Sequence, residues 1–301
     1  MRRSNEGYQM TLFHMPASEQ VVNVASVPHR SPFRYPGGKT WLVPRIRQWL
    51  MSLGERPSLF VEPFAGGGIV GLTVGFEGLA KHVLLVELDK EVAAVWQTIL
   101  GGDAEWLAER ILGFELTTRN VKDILSCDST GVQEQAFRTI LKNRTYHGGI
   151  LAPGSSLIKS GENRKGLKSR WYPETLAKRI RAIGRLRDRF TFIWGDGIEV
   201  MRQYSRVRPA AFFVDPPYTA GGVSSKRAGK RLYTHHEIDH ELLFASAETL
   251  VGDVLLSYED SPDVRAIAAK HSFKSKRVAM KNCHHAKMTE LLISRNLDWL
   301  R

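Results

Sequence analysis

The sequence predicts an α/β chain built on a doubly wound, mostly parallel sheet that is interrupted once by an inserted, mainly helical region. Three observations predict it. Short apolar runs alternate with segments of helical period on both sides of a long central stretch. That stretch, residues 101–172, contains no run of the buried parallel type. The first two strand-like runs are joined by a glycine-rich turn that leads into a helix, which is how a doubly wound sheet opens.

Residues 1–31 show no sustained period and read as an N-terminal arm. From Thr40, the residues Trp41, Leu42, Ile46, Trp49 and Leu50 recur at helical spacing, and Pro44 falls in the first turn, where a missing N–H costs little. Strands are expected at 58–61 and 83–86. A glycine-rich turn at 65–71 enters the helix between them, and a second helix covers 89–100. In the insertion, 105–112 and 133–142 read as helices and 147–170 as a polar, glycine-bearing irregular segment. Leu176, Ile180, Ile183 and Leu186 mark a helix whose outer face carries Lys178, Arg179, Arg181 and Arg185. Alternation then resumes, with strands at 191–194, 211–214, 254–258, 275–280 and 290–294 and helices at 198–204, 237–250 and 263–271. Pro262, following Asp260 and Ser261, is a helix start. No helix fits between the last two strands, so they should pair as an antiparallel hairpin. The expected division is an arm (1–31), a principal domain (32–100 and 173–301) and an insertion (101–172).

The 301 residues, 43% apolar and 25% charged, are ordinary for a globular chain and exclude a disordered or collagen-like one. The longest mostly apolar stretch, 59–76, contains Glu62 and Pro63 and is rich in glycine, so no membrane span is expected. The first thirty residues lack the apolar middle of a signal peptide, and Cys127 and Cys283 are too few for a disulfide framework. Both points favour a reducing cytoplasm. Lys and Arg outnumber Asp and Glu by 43 to 31, a net charge of +12, which favours a polyanionic partner. The excess is clustered: one basic zone runs from Lys159 to Arg189, and Lys226, Arg227, Lys230 and Arg231 sit in a Gly/Ser-rich loop.

Gly38-Lys39-Thr40 resembles the end of a phosphate loop, but Phe33 stands where that motif needs its first glycine. Gly66, Gly68 and Gly71 satisfy G-x-G-x-x-G after a strand, and Glu87 ends the next strand. A side-chain-free turn followed by a carboxylate suits any nucleoside cofactor with a free ribose, so the pattern alone leaves NAD open. Asp215-Pro216-Pro217-Tyr218 begins at the carboxyl end of the strand Phe212-Phe213-Val214, where open α/β sheets bind ligands. It offers a carboxylate, a carbonyl and an aromatic face, which together fit an exocyclic amine on a planar base. No metal is expected: neither His235, His236 and His240 nor Cys283 with His284 and His285 completes a four-ligand pattern. Trp171 and Tyr172, at the insertion's end, could pack or stack on a base.

FRYPGGK at 33–39, FVEPFAGGG at 60–68, Glu87, Asn143-Arg144-Thr145, DPPY at 215–218 and LSYEDSP at 256–262, in this order over roughly residues 31–296, resemble the Dam-like (α-group) DNA adenine-N6 methyltransferases. The resemblance implies a Rossmann-like S-adenosylmethionine methyltransferase sheet, with residues 101–172 as the target-recognition region. Tyr35, Gly37, Lys39 and the turn of Phe64, Ala65 and Gly66 would meet the cofactor's methionine end. Glu87 would take its ribose hydroxyls, where the family often has Asp. Asp196 would accept from the cofactor's adenine amine. Asp215, bordering the cofactor, would hold the target base with Pro216, Pro217 and Tyr218. Arg119, Asn143, Arg144, Tyr146, Lys159, Arg164, Lys165, Lys168 and Arg170 would contact double-stranded DNA, and the loop with Lys226, Arg227, Lys230 and Arg231 would close over an extruded nucleotide.

Accepting both N–H hydrogens of adenine N6 favours a pyramidal nitrogen and stabilises the positive charge that grows on it, so direct methyl transfer needs no cysteine nucleophile. The same amine-holding logic would serve an RNA adenine or DNA cytosine-N4 methyltransferase; an NAD-dependent oxidoreductase would leave DPPY idle. The resemblance admits a cognate restriction endonuclease acting separately, and a monomer suffices for the chemistry.

Overall fold

The structure, a computed structural model, describes residues 27–35, 37–128, 131–161, 164–217, 231, 232, 234, 235, 237–281 and 287–300. Seven strands form one sheet: β1 (Leu59–Glu62), β2 (His82–Glu87), β3 (Phe190–Trp194), β4 (Ala210–Val214), β5 (Asp253–Glu259), β6 (Lys274–Lys281) and β7 (Lys287–Ser294). Their order is β3-β2-β1-β4-β5-β7-β6. β1 to β5 run parallel, with Phe60 opposite Val83 on one side and Ala211 on the other. β7 is antiparallel to both β5 and β6, closing the expected hairpin.

The strands alternate their burial between two cores, as a sheet covered on both faces requires. Phe60, Leu85, Ala211, Phe213 and Leu255 face one core; Val61, Leu84, Phe212, Val214 and Leu256 face the other. The second core is closed by α8 (Gly197–Gln203), α9 (His240–Thr249) and α10 (Pro262–Lys270). The first is closed by α1 (Val43–Ser52), α2 (Ile69–Glu77), α3 (Lys90–Thr98), α4 (Ala104–Leu112), α6 (Val132–Thr145) and α7 (Pro173–Gly184).

Several boundaries differ from the sequence expectation for local reasons. The helix expected from 237 starts at His240, because the Asp239 side chain accepts from the Leu242 N–H and so caps it. The helix expected to reach 100 ends at Thr98 and passes into a π-helical turn, Ile99–Asp103, in which Gly102 has φ 115°. A helix that the sequence reading omits, α5 (Thr118–Ser126), is capped by the Thr117 side chain. The expected arm is not free at its end: Val27 is buried in the first core, and Arg30 pairs with Glu77 at 3.1 Å. Residues 1–26 lie outside the described residues.

Residues 101–172 add no strand to the sheet among the described residues. Their Leu107, Ile111, Phe137, Ile140 and Leu141 share the first core with Val92, Val95 and Trp96 of α3. No described helix is long and apolar enough to cross a membrane.

Candidate active site

Strand order reverses between β1 and β4, and loops leaving adjacent strands in opposite directions open a crevice there. A cavity of about 1230 Å³ occupies that point. It exceeds the roughly 300–1,000 Å³ of ordinary small-molecule sites, leaving room for a nucleoside cofactor and a second planar group.

The turn 64–68 forms one wall. Gly66 and Gly68 have φ of 48° and 63°, and a side chain on Gly66 would strike the Tyr35 ring, 2.6 Å away. The Trp96 indole N–H donates to Gly66 O at 3.0 Å. Glu87, at the end of β2, accepts from the Gly66 N–H at 2.8 Å through Oε2 and from the Leu88 and Asp89 N–H groups through Oε1. Burial raises Glu87 to about 7. Asp196 follows β3 and lines the same cavity; its Oδ1 caps α8 through the Ile198 N–H at 2.7 Å. The turn without side chains, the adjacent carboxylate and the second carboxylate across the cavity form the acceptor set that a nucleoside with ribose and amine donors requires, so the residues present fit the cofactor.

The opposite wall carries the carboxylate of DPPY. Asp215, Pro216 and Pro217 follow β4 and line the cavity; Tyr218 lies outside the described residues. Asp215 Oδ1 accepts from the Ser257 hydroxyl at 2.7 Å and lies 3.0 Å from the Lys39 ammonium. Lys39, only 4% exposed, also donates to Gly37 O and stands 3.9 Å from Glu290. The sequence reading gave Lys39 to the cofactor's methionine end, and the structure adds an ion pair with the carboxylate of DPPY. Beside it, the buried Tyr258 hydroxyl meets His240 Nδ1 at 3.0 Å; burial, then the charge of Asp215, pushes the phenol well above its ordinary value. Glu62 is buried in the same wall, accepts from the Gly71 N–H at 2.7 Å and is raised to about 8, first by burial.

Ser257, Glu62 and Glu290 were missed as functional candidates by sequence reasoning. Ser257 and Glu62 sit inside the LSYEDSP and FVEPFAGGG motifs, but neither motif states which side chain turns towards Asp215.

The expected nucleic-acid residues divide into three groups. Arg119 (side chain 90% exposed), Lys159, Arg164, Lys165 and Lys168 are exposed on the inserted region, while Tyr146 and Arg170 are half-buried. Arg231 is exposed; Lys226, Arg227 and Lys230 lie outside the described residues. Asn143 and Arg144 are buried. Asn143 bonds only backbone, through Arg34 N–H, Arg34 O and Gly149 O, and Arg144 donates to Pro32 O. Burial, then the neighbouring Arg179 and Arg34, lowers Arg144 to about 9. Trp171 is buried against Phe114, whereas Tyr172 is 51% exposed, lines the cavity and donates its hydroxyl to Ser169 O. Among the described residues no cluster could hold a metal; His236, Cys283, His284 and His285 lie outside them.

Comparison with known proteins bears on this site. None of the curated proteins matches the chain in sequence. Among solved structures, the chain is similar to the rRNA methyltransferase AviRa of Streptomyces viridochromogenes, with 15% identity, 88% of each chain covered and a TM-score of 0.42. It is also similar to an S-adenosylmethionine-dependent methyltransferase of Agrobacterium tumefaciens, with 10% identity, 83% of this chain and 59% of that chain covered and a TM-score of 0.38. The sequence model of the D12 class N6 adenine-specific DNA methyltransferases matches residues 35–282. The chain belongs to the D12 class of N6 adenine-specific DNA methyltransferases, and its cofactor is S-adenosylmethionine.

Proposed function

We propose that this chain methylates the exocyclic N6 of an adenine in double-stranded DNA, at a specific site and with the base turned out of the helix. The single observation that carries the proposal is the construction of the cavity: a nucleoside-type wall at 64–68 and Glu87 faces an Asp215 carboxylate oriented by Ser257 and Lys39.

The cofactor supplies an electrophilic methyl group on a sulfonium. Asp215 and the Pro216 carbonyl accept the two N–H hydrogens of the target amine, which directs the nitrogen lone pair out of the ring and stabilises its developing positive charge. As the N–C bond forms, the C–S bond breaks to leave a neutral thioether, and the excess N6 proton passes to the Asp215 carboxylate and on to solvent. Ser257 and Lys39 fix the carboxylate from behind, so little reorganisation is needed at the moment of transfer. A base inside a duplex cannot reach this cavity wall, hence the extrusion; Tyr218, the expected stacking partner, lies outside the described residues. The exposed basic residues of the insertion, from Lys159 to Lys168 and with Arg119, hold the phosphate backbone; the expected cover over the extruded nucleotide, 221–231, falls outside the described residues but for Arg231. One subunit carries every part, and the cytoplasm, where DNA and cofactor meet, is its place of work.

The test is transfer of labelled methyl from S-adenosylmethionine to unmethylated duplex DNA and, in parallel, to RNA, with Asp215→Ala as control. Label in DNA that depends on Asp215 is the expected result. Label confined to RNA would overturn the DNA assignment.

A further inference from the structure

Residues 31–39 are where the inserted region, the cofactor turn and the catalytic carboxylate meet. On one side, α6 and α7 hold the backbone of this strap: Arg179 donates to Ser31 O at 3.1 Å, Arg144 donates to Pro32 O, and Asn143 takes both polar groups of Arg34. The Arg34 N–H donates to Asn143 Oδ1 at 2.9 Å, and Asn143 Nδ2 donates to Arg34 O at 3.0 Å. The other donor of Nδ2 goes to Gly149 O at 2.7 Å. On the opposite side, Ser31 Oγ donates to Gly67 O at 2.5 Å, the Tyr35 ring covers Gly66 and Gly67, and Lys39 reaches Asp215.

A side-chain amide that both donates to and accepts from one residue acts as a strand neighbour would, fixing the orientation of the peptides around it. Asn143 is wholly buried, so its donors and acceptor are committed to this one task. Gly149 allows the close approach: its φ is 73°, and a Cβ there would lie 2.5 Å from Arg34 O.

We infer that Asn143 is a positioning residue for the cofactor. From within the inserted region it fixes the peptides on both sides of Arg34, where the chain turns to lay Tyr35 on the glycine turn and Lys39 reaches Asp215. It does this without touching cofactor or nucleic acid. The inference rests on S-adenosylmethionine as the cofactor and is independent of which nucleic acid is methylated.

The experiment uses the full chain without nucleic acid. Asn143→Asp keeps the acceptor for the Arg34 N–H and turns an oxygen towards Arg34 O and Gly149 O. Gly149→Ala presses a methyl on the same peptide from the other side. Calorimetry should show S-adenosylmethionine binding weakened at least tenfold in both variants, while Glu115→Gln, an exposed change in the same region, stays at the wild-type value. In the transfer assay the KM for cofactor should rise in step and kcat should fall as Lys39 loses its hold on Asp215, with the KM for the methyl acceptor moving less than threefold. A merely structural role would lower Tm without this split. Wild-type protein gives the reading that does not depend on a variant folding: cofactor should slow amide hydrogen exchange at 145–149 as well as at 34–39. Cofactor affinity within twofold of wild type in the folded variants, or protection at 34–39 with none at 145–149, would overturn the inference. Lack of methyl transfer to DNA would bear only on the proposed function.

Discussion

Two carboxylates in the cavity wall carry opposite lessons about pH. Glu62 is raised from 4.5 to about 8, so the folded chain prefers it protonated. The corresponding stability is fully present below pH 4.5 and is lost as pH rises through 8. Glu62→Gln keeps an acceptor for the Gly71 N–H and cannot ionise. Its Tm should match wild type at pH 5 and exceed it at pH 8.5, by an amount on the order of a few kcal/mol in stability; equal Tm values at both pH values would refute this. In the proposed function Glu87, raised to about 7, accepts from the cofactor's ribose hydroxyls most strongly as a carboxylate. Cofactor affinity should therefore be full above pH 7 and fall by up to about tenfold per unit below it, a dependence that isothermal titration should find absent in Glu87→Gln. At Ser257 the expected change is catalytic. Removing the hydroxyl leaves Asp215 with Lys39 as its ion-pair partner but without its 2.7 Å donor. Ser257→Ala should lower kcat by roughly 10- to 100-fold with cofactor affinity unchanged by calorimetry.

Residue identities were legible where a motif gathers chemistry in a short span, as in Asp215-Pro216-Pro217 or the glycine turn before Glu87. The Lys39–Asp215 ion pair and the Asn143–Arg34 clamp were not, because their partners are distant in the chain and only the packing of β1, β4 and α6 brings them together.

At the scale of elements, strands with near-continuous apolar runs were the easiest to read: β4, AAFFV, is buried at all five positions. Short α5 was missed because Val121 is its only buried residue, too little to set a period; Thr117 as its cap was the available signal. Arg295, just past β7, gives elements of the second core their sharpest test. Its guanidinium donates to Ala247, Glu248, Leu250 and Gly252 carbonyls at 2.8 to 3.1 Å, closing the C-terminal end of α9. Arg295→Met should destabilise the chain by about 1–3 kcal/mol, measured by urea unfolding, with cofactor affinity retained in the folded fraction. An unchanged midpoint would mean that water replaces the guanidinium without cost.

For the whole molecule, the decisive feature is that the inserted helices share one core with the half that carries the glycine turn. Phe137 and Ile140 of α6 pack in the same cluster as Val95 and Trp96 of α3. A chain with residues 104–172 replaced by a short linker should therefore lose its cooperative thermal transition, and a sharp transition near that of the wild type would show the insertion to be separable. The sequence announced the insertion through the break in strand alternation, but only the packing makes it part of that half's core. This arrangement sets residues 31–35 between the inserted helices and the glycine turn.

The most direct test of the account is nucleoside mass spectrometry of duplex DNA treated with the wild-type chain and S-adenosylmethionine, beside DNA treated with Asp215→Ala. The account predicts N6-methyl-2′-deoxyadenosine as the new nucleoside with wild type and none with the variant; N4-methyl-2′-deoxycytidine in its place, or an equal yield from both proteins, would contradict it.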